Sequence, residues 1–143
     1  MNIIKKIIEF NDKWLDPEYC LAAVKQDCYA LQYVREQTPE ICLEAVIQDG
    51  YTLEFVKNQT PEICLDAVKQ NGNALKFVRE QTPEICLEAV KQNGYALKFV
   101  REQTPEICLE AIERNSGAYK YVRLPAQEPE RTRFIKKLAL LLN

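Results

Sequence analysis

The chain has 143 residues, six cysteines, no histidine, 28% charged residues and a net charge of −2. That length suits one domain with its own core, and the near-neutral balance excludes a global pull toward nucleic acid or an anionic membrane. The longest apolar run, Leu138 to Leu142, falls far short of the roughly 20 residues that span a bilayer.

At the N-terminus, Met1-Asn2-Ile3-Ile4-Lys5-Lys6 has neither a long apolar core nor a small-residue cleavage site. The sequence therefore predicts a cytoplasmic protein without a secretory signal. The first predicted element, in segment 1–15, is a capping helix from Asn2 to Leu15 with Ile4, Ile7, Ile8 and Trp14 on its apolar face.

Segment 16–125 repeats. Cys20, Cys42, Cys64, Cys86 and Cys108 stand 22 residues apart, and their surroundings recur with them. A fixed period in the twenties marks a repeat array, in which each unit buries its apolar face against its neighbours. Five units start near Asp16, Thr38, Thr60, Thr82 and Thr104.

The unit from Thr82 to Gln103 shows the logic. Thr82 suits an N-cap, Pro83 the first helical position, and Glu84 the positive end of the helix dipole. A first helix then runs to about Gln92, with Ile85, Cys86, Ala89 and Val90 as one stripe. Asn93-Gly94 is the predicted stop, with Gly94 in the left-handed conformation. A second short helix follows from about Tyr95 to Glu102, carrying Ala96, Leu97, Phe99 and Val100 inward. It ends before Thr104, because the residue preceding Pro105 is pushed out of helical geometry. Such short helices are marginal alone and hold only as stacked copies. The predicted fold is an all-α solenoid of five helix-turn-helix repeats with a capping helix at each end.

The fifth unit departs from the pattern at Ser116-Gly117 and Tyr119, and Leu124-Pro125 ends it. Segment 126–143 is a linker, Ala126 to Glu130, and a last helix from about Arg131 to Leu142. That helix either docks or pairs with another chain. Docking is the preferred reading, and Leu138, Leu141 and Leu142 are the homodimer contacts if it pairs.

The cysteine ladder reads as packing. Helices pack roughly 8–10 Å apart, whereas a disulfide needs Cα atoms within about 7 Å. A zinc site needs about four converging ligands, and the chain has neither histidine nor a close cysteine pair. The thiols are read as small, reduced core residues. Only Cys28 lies off the ladder, at the position where Gly50, Gly72 and Gly94 stand in the next three units. A reactive thiol there competes with the plainer reading of an incidental replacement.

The string Ala89-Val90-Lys91-Gln92-Asn93-Gly94-Tyr95-Ala96-Leu97-Lys98-Phe99-Val100 resembles a family of short α–α repeats catalogued as a domain of unknown function. The resemblance covers about residues 16–123 and implies the same solenoid. It also implies occurrence in bacteria, phages and large DNA viruses of amoebae, and it brings no activity, cofactor or catalytic residue with it.

Function is therefore sought on the outward rungs. Arg35, Lys57, Arg79, Arg101 and Arg123 form a basic ladder, with Lys76, Lys98 and Lys120 beside it. Glu40, Glu62, Glu84 and Glu106 start the first helices, with Glu44, Asp66, Glu88 and Glu110 one turn on. The plain reading is a solvated surface whose opposite charges bridge neighbouring helices, at about 0–1 kcal/mol per pair. The functional reading is a stripe that holds a partner along the stack. Tyr29, Tyr51 and Tyr95 occupy the most variable rung, followed by Asn73 and Gly117 at the same position. Those tyrosines suit bases or protein pockets, and the plainer reading is that they cover the neighbouring turn. Residues 74–89 are identical to residues 96–111, so a base-by-base code has almost no letters.

Enzyme chemistry lacks its parts: no histidine, no Gly-rich phosphate loop and no serine motif with a base. Glu84 and Glu88 share a helix face but read as exposed. The leading expectation is a non-enzymatic scaffold without cofactor or metal that binds a partner protein. The resemblance extends it to an inhibitor of a host or defence protein. Alternatives are a nucleic-acid binder using the basic ladder and a self-assembling structural protein.

Overall fold

A computed structural model describes residues 2–143. The chain is an all-α solenoid of five 22-residue helix-turn-helix units between two terminal helices. Helix α1 spans Ile3–Lys13 and α7 Glu130–Leu142. The units pair an α-helix with a 3₁₀ helix: α2 (Pro17–Gln26) with η1 (Cys28–Tyr33), α3 (Pro39–Gln48) with η2 (Gly50–Phe55), and α4 (Pro61–Gln70) with η3 (Gly72–Phe77). Then come α5 (Pro83–Gln92) with η4 (Gly94–Phe99) and α6 (Pro105–Arg114) with η5 (Ser116–Tyr121).

The caps behave as their residue types require. Thr38, Thr60, Thr82 and Thr104 each accept the amide N–H three residues on through Oγ1, at 3.3 Å. Asp16 caps α2 through Oδ1, which accepts the Glu18 N–H two residues on at 3.0 Å. The stripe Ile85, Cys86, Ala89, Val90 and its counterparts in α3 and α4 are buried, as are Leu97, Val100 and theirs. One apolar core thus runs the length of the stack.

Two expectations about the unit need correction. The second helix is not an α-helix to Glu102; it is a 3₁₀ helix that ends at Phe99. Asn93 accepts the Tyr95 N–H through Oδ1 and the Ala96 N–H through its carbonyl. That turn launches i to i+3 bonding. Val100 then turns extended, at φ −68° and ψ 121°, and carries the chain toward Gln103.

Glycine is the second correction. Among the described residues no glycine has positive φ, so Gly94 is not a left-handed stop. Asn93, extended at φ −147°, ends α5. Glycine is required by close approach instead. A Cβ on Gly50 or Gly72 would lie 2.3 Å from the carbonyl oxygen of Ala67 or Ala89, and on Gly94 2.2 Å from that of Ala111. Each glycine thereby lets its 3₁₀ helix touch the next α-helix. Ser116 is tolerated because no further repeat helix follows it. Cys28 is the exception within the array, and η1 packs on η2 less closely than later pairs do.

The ends differ. Helix α7 docks on α6 with Phe134 buried and Leu138 half-buried. Lys137 pairs with Glu106, and Pro105 is buried where Pro39, Pro61 and Pro83 are exposed. Docking is therefore made by Phe134 and Leu138, while Leu141 and Leu142 stay exposed. At the other end, α1 attaches through its last turn. Trp14 is buried against Phe10, Tyr19 and Tyr33, with ring centroids 5.2–6.3 Å apart. The expectation that Ile4, Ile7 and Ile8 turn inward does not hold, because all three are exposed.

The ladder cysteines are free and buried. Burial pushes the Cys108 thiol from 9.0 up to about 11, and it pushes Cys42, Cys64 and Cys86 in the same direction. An unfolded thiol that ionises near 9 while the native one holds its proton to about 11 makes the fold the stronger proton binder. That stability is complete below pH 9 and is lost as pH rises through 11. The urea midpoint is expected to fall between pH 9 and 11, and Cys108→Ala to flatten the fall. A thiol reagent at about pH 8 should reach the half-buried Cys28 first and the ladder only after unfolding. Rapid labelling of Cys86 in the native protein would contradict the buried ladder.

Candidate interaction surface

The outward rungs are set by a row of glutamines between successive loops. Gln81 Nε2 donates to the Phe99 carbonyl at 2.9 Å and to the Leu75 carbonyl at 3.4 Å. Its Oε1 accepts the Arg101 amide N–H at 2.9 Å and the Cys86 Sγ–H at 3.6 Å. Gln37, Gln59 and Gln103 make the same four contacts one register away. On the α-helices, Gln70 and Gln92 accept the Gly50 and Gly72 N–H at 2.8 and 2.7 Å. Where Arg114 replaces the glutamine, Asn115 takes over and accepts from Gly94 at 2.8 Å. Sequence reading missed this row. Its only signal was a glutamine recurring before every Thr-Pro.

The basic ladder is coupled to the same loops. Arg79 donates to the Lys57 and Val56 carbonyls at 2.7 and 3.0 Å, and Arg101 to those of Arg79 and Val78 at the same distances. Arg123 reaches the carbonyls of Val100 and Arg101, and Arg35 reaches Asn11. Lys57 donates to Arg35 and Val34 at 2.6 and 3.2 Å. The ladder thus clamps the preceding loop. Among the described residues the ion pairs are Lys5–Glu9, Lys91–Glu88 and Lys137–Glu106, so no carboxylate ladder bridges to it. Arg101→Ala is expected to lower stability by about 1 kcal/mol, and Arg101→Lys by less, since Lys57 makes equivalent bonds. Urea melts of both variants check this, and an equal loss would contradict the clamp.

The 3₁₀ edge is different. Tyr29, Tyr51 and Tyr95 stand edge-to-face on Phe55, Phe77 and Tyr121 of the next unit, with centroids 6.1, 5.9 and 6.3 Å apart. The Tyr29 hydroxyl donates to Asp49 Oδ2 at 2.7 Å, which pushes its pKa up to about 12. Tyr29 and Tyr95 remain exposed and Tyr51 half-buried. Lys76 Nζ lies 4.6 Å from the Tyr51 and Phe77 ring centroids, and Lys98 lies 4.8 Å from Phe99 and 6.0 Å from Tyr121. Lys120 continues that row and is exposed, whereas Glu54 and Gln32 precede it. The structure thus places the tyrosines and Lys76, Lys98 and Lys120 on the 3₁₀ helices, brings Lys76 onto Tyr51, and sets the Arg35 to Arg123 ladder apart on the loops. The half-buried Phe55, Phe77 and Phe99 complete the stripe. Sequence reading placed those phenylalanines in the core.

On the loop side, shallow cavities of about 220, 200 and 100 Å³ recur between successive units. The largest is lined by Lys57, Asn58, Arg79 and Glu80, and each cavity borders a ladder cysteine.

A family model described as Domain of unknown function (DUF4116) matches residues 16–60, 38–82, 60–104 and 82–124. Successive windows start 22 residues apart and each spans two units, which reproduces the five-unit count. No curated protein and no solved structure matches the chain. With most of its length covered by these windows, the chain belongs to that family of short helical repeats of unknown function.

Proposed function

We propose that the chain is a non-catalytic scaffold that binds a partner protein along its 3₁₀ edge. The observation that carries this is the stripe of tyrosine and phenylalanine rings flanked by Lys76, Lys98 and Lys120. Aromatic rings with polar tips give large contact area at small entropy cost, and lysine stems extend that area while the ammonium stays wet. The lysines lie in the C-terminal half, so the partner segment that fits there is acidic. The occurrence implied by the family resemblance extends the reading to an inhibitor that occupies a host or defence protein.

The nucleic-acid reading rests on the arginine ladder, and the hydrogen-bond donors of Arg79, Arg101 and Arg123 point at backbone carbonyls. That favours protein over nucleic acid.

Lysate captured on wild-type chain and on a Tyr95→Ala, Lys76→Glu, Lys98→Glu variant tests the proposal. These exposed positions leave the core intact, which circular dichroism checks. A protein enriched by the wild type, lost with the variant and resistant to nuclease supports it. The same proteins on both baits, or capture that nuclease abolishes, overturns it.

A further inference from the structure

We infer that the N-terminal end of the array carries a binding site for a quaternary ammonium group, an aromatic box that the Lys13 ammonium fills until a ligand displaces it. The box draws on α1 and α2, apart from the 3₁₀ stripe, and its test is independent of the partner-binding proposal.

Three rings surround one charge. Lys13 Nζ lies 4.8 Å from the Phe10 ring centroid, 5.3 Å from that of Tyr19 and 5.5 Å from that of Trp14. All three fall inside the roughly 6 Å over which a ring face attracts a cation. Phe10 meets Trp14 at 67° and Tyr19 meets it at 79°, so the rings stand as steep walls and not as a stack. Lys76 and Lys98 each rest on two rings and stay exposed, whereas Lys13 is half-buried. The box is also held in place without its lysine. Trp14 is 7% exposed, and Tyr33 backs it at 5.3 Å. The Trp14 carbonyl accepts the Arg35 amide N–H and the Cys20 Sγ–H, each at 3.4 Å. Its Nε1–H has no hydrogen-bond partner among the described residues, so the indole serves here through its ring face. Phe10 and Tyr19 reach solvent, which leaves a way in once the lysine swings out.

Hydration selects the ligand. Among the described residues the ion pairs leave Lys13 out, so ring faces stand where a carboxylate would. A primary ammonium is strongly hydrated and carries several N–H donors, which ring faces satisfy poorly. A quaternary ammonium has no donor to leave unmet and spreads its charge over methyl groups that touch the rings. It gives up less water on entering, and Lys13 regains its own on leaving. Three rings around one ammonium embrace a head group of that size, so the ligand is a choline-type trimethylammonium compound, free or as a lipid headgroup. The tethered lysine competes with it at all times. If Lys13 leaves the box about one tenth of the time, apparent affinity falls about 10-fold.

Trp14 is the one tryptophan of the chain, so indole fluorescence reads the box alone. Choline chloride, titrated from about 0.1 to 100 mM at constant ionic strength, is expected to shift that emission saturably in the wild type. Lys13→Ala is expected to bind choline about 10-fold more tightly, and adding Tyr19→Ala to lose about 10-fold again. Neither side chain belongs to the buried core, and circular dichroism checks both variants. Dimethylbutanol, the uncharged carbon isostere of choline, is expected to bind Lys13→Ala about 10-fold more weakly than choline does. That comparison needs no second substitution, so it stands even where Tyr19→Ala disturbs the fold. Phosphatidylcholine vesicles that displace choline assign the box to the lipid form, and vesicles that do not assign it to the free solute; both support the proposal. No saturable response of Lys13→Ala to choline, or equal binding of choline and dimethylbutanol, overturns it. A trimethyllysine peptide that binds at least about 10-fold more tightly than choline assigns the box to a modified protein and overturns the choline assignment.

Discussion

Gln81→Ala is expected to lower the unfolding free energy by about 3 kcal/mol, a larger loss than any surface change in the array. The side chain is half-buried and serves four groups at once: the carbonyls of Leu75 and Phe99, the Arg101 amide and the Cys86 thiol. Three of those groups belong to the following unit and one to its own, so truncation strips polar contacts from both sides of an interface. Each shielded backbone group left without a partner costs about 1–3 kcal/mol, which outweighs the side-chain entropy the glutamine loses on ordering. Gln81→Glu is expected to fail in another way. A carboxylate still accepts from Arg101 and Cys86 but cannot donate to the two carbonyls, and it faces their negative ends. Urea unfolding of both variants beside Glu80→Ala, an exposed control expected within about 0.5 kcal/mol of wild type, measures the difference. If Gln81→Ala behaves like that control, the glutamine row is not what holds the loops.

Gly72→Ala is expected to cost about 3 kcal/mol or more, through backbone collision rather than conformational strain. The added Cβ would sit 2.3 Å from the Ala89 carbonyl oxygen, well inside van der Waals contact, and neither atom is on a flexible side chain. The third and fourth units must separate, which loosens the packing between η3 and α5 and stretches the 2.7 Å bond from Gly72 N–H to Gln92. Reduced freedom of the unfolded chain returns only about 0.4–1 kcal/mol. Gly117→Ala is the internal comparison. Its nearest neighbour is the Tyr95 hydroxyl at 3.0 Å, at the end of a side chain that can move, so it should be nearly neutral. Thermal melts of the two variants test this. Equal shifts would mean that close approach is not why glycine stands in the array.

Much of this was legible in the chain because the repeat displays its own punctuation. Thr-Pro-Glu announces each α-helix, and the structure starts α3, α4, α5 and α6 on those prolines. The inward stripe of Ile85, Cys86, Ala89 and Val90 followed from spacing alone. The short helix was harder, since over six residues α and 3₁₀ spacing place the same side chains inward. Only the hydrogen bonds of Asn93 and the turn at Val100 separate them. Gly94 was misread for a related reason. Sequence shows that a side chain is missing, whereas the neighbour that forbids it, Ala111, lies in the next unit.

On the surface, the arginine ladder looked available because charge suggests water. Its donors are instead directed at carbonyls 22 and 23 residues back, and nothing in composition marks a backbone acceptor. The glutamines were hidden in the same way, their partners lying 18 and 20 residues ahead. Helix α1 shows the remaining gap. Its periodicity marks an apolar face but does not say what meets it.

Those fixed offsets have an arithmetic consequence. Residues 74–89 and 96–111 are identical, so excising 74–95 would join Asn73 to Ala96 and bring every severed bond a chemically equivalent partner. Excising 21 or 23 residues from the same place would leave each downstream amide facing the wrong carbonyl, by the helix rotation of one residue. The chain can therefore change length only in whole units. A duplication or loss of 22 residues would yield a longer or shorter rod with the same ends, and any other indel would behave like a frameshift in three dimensions.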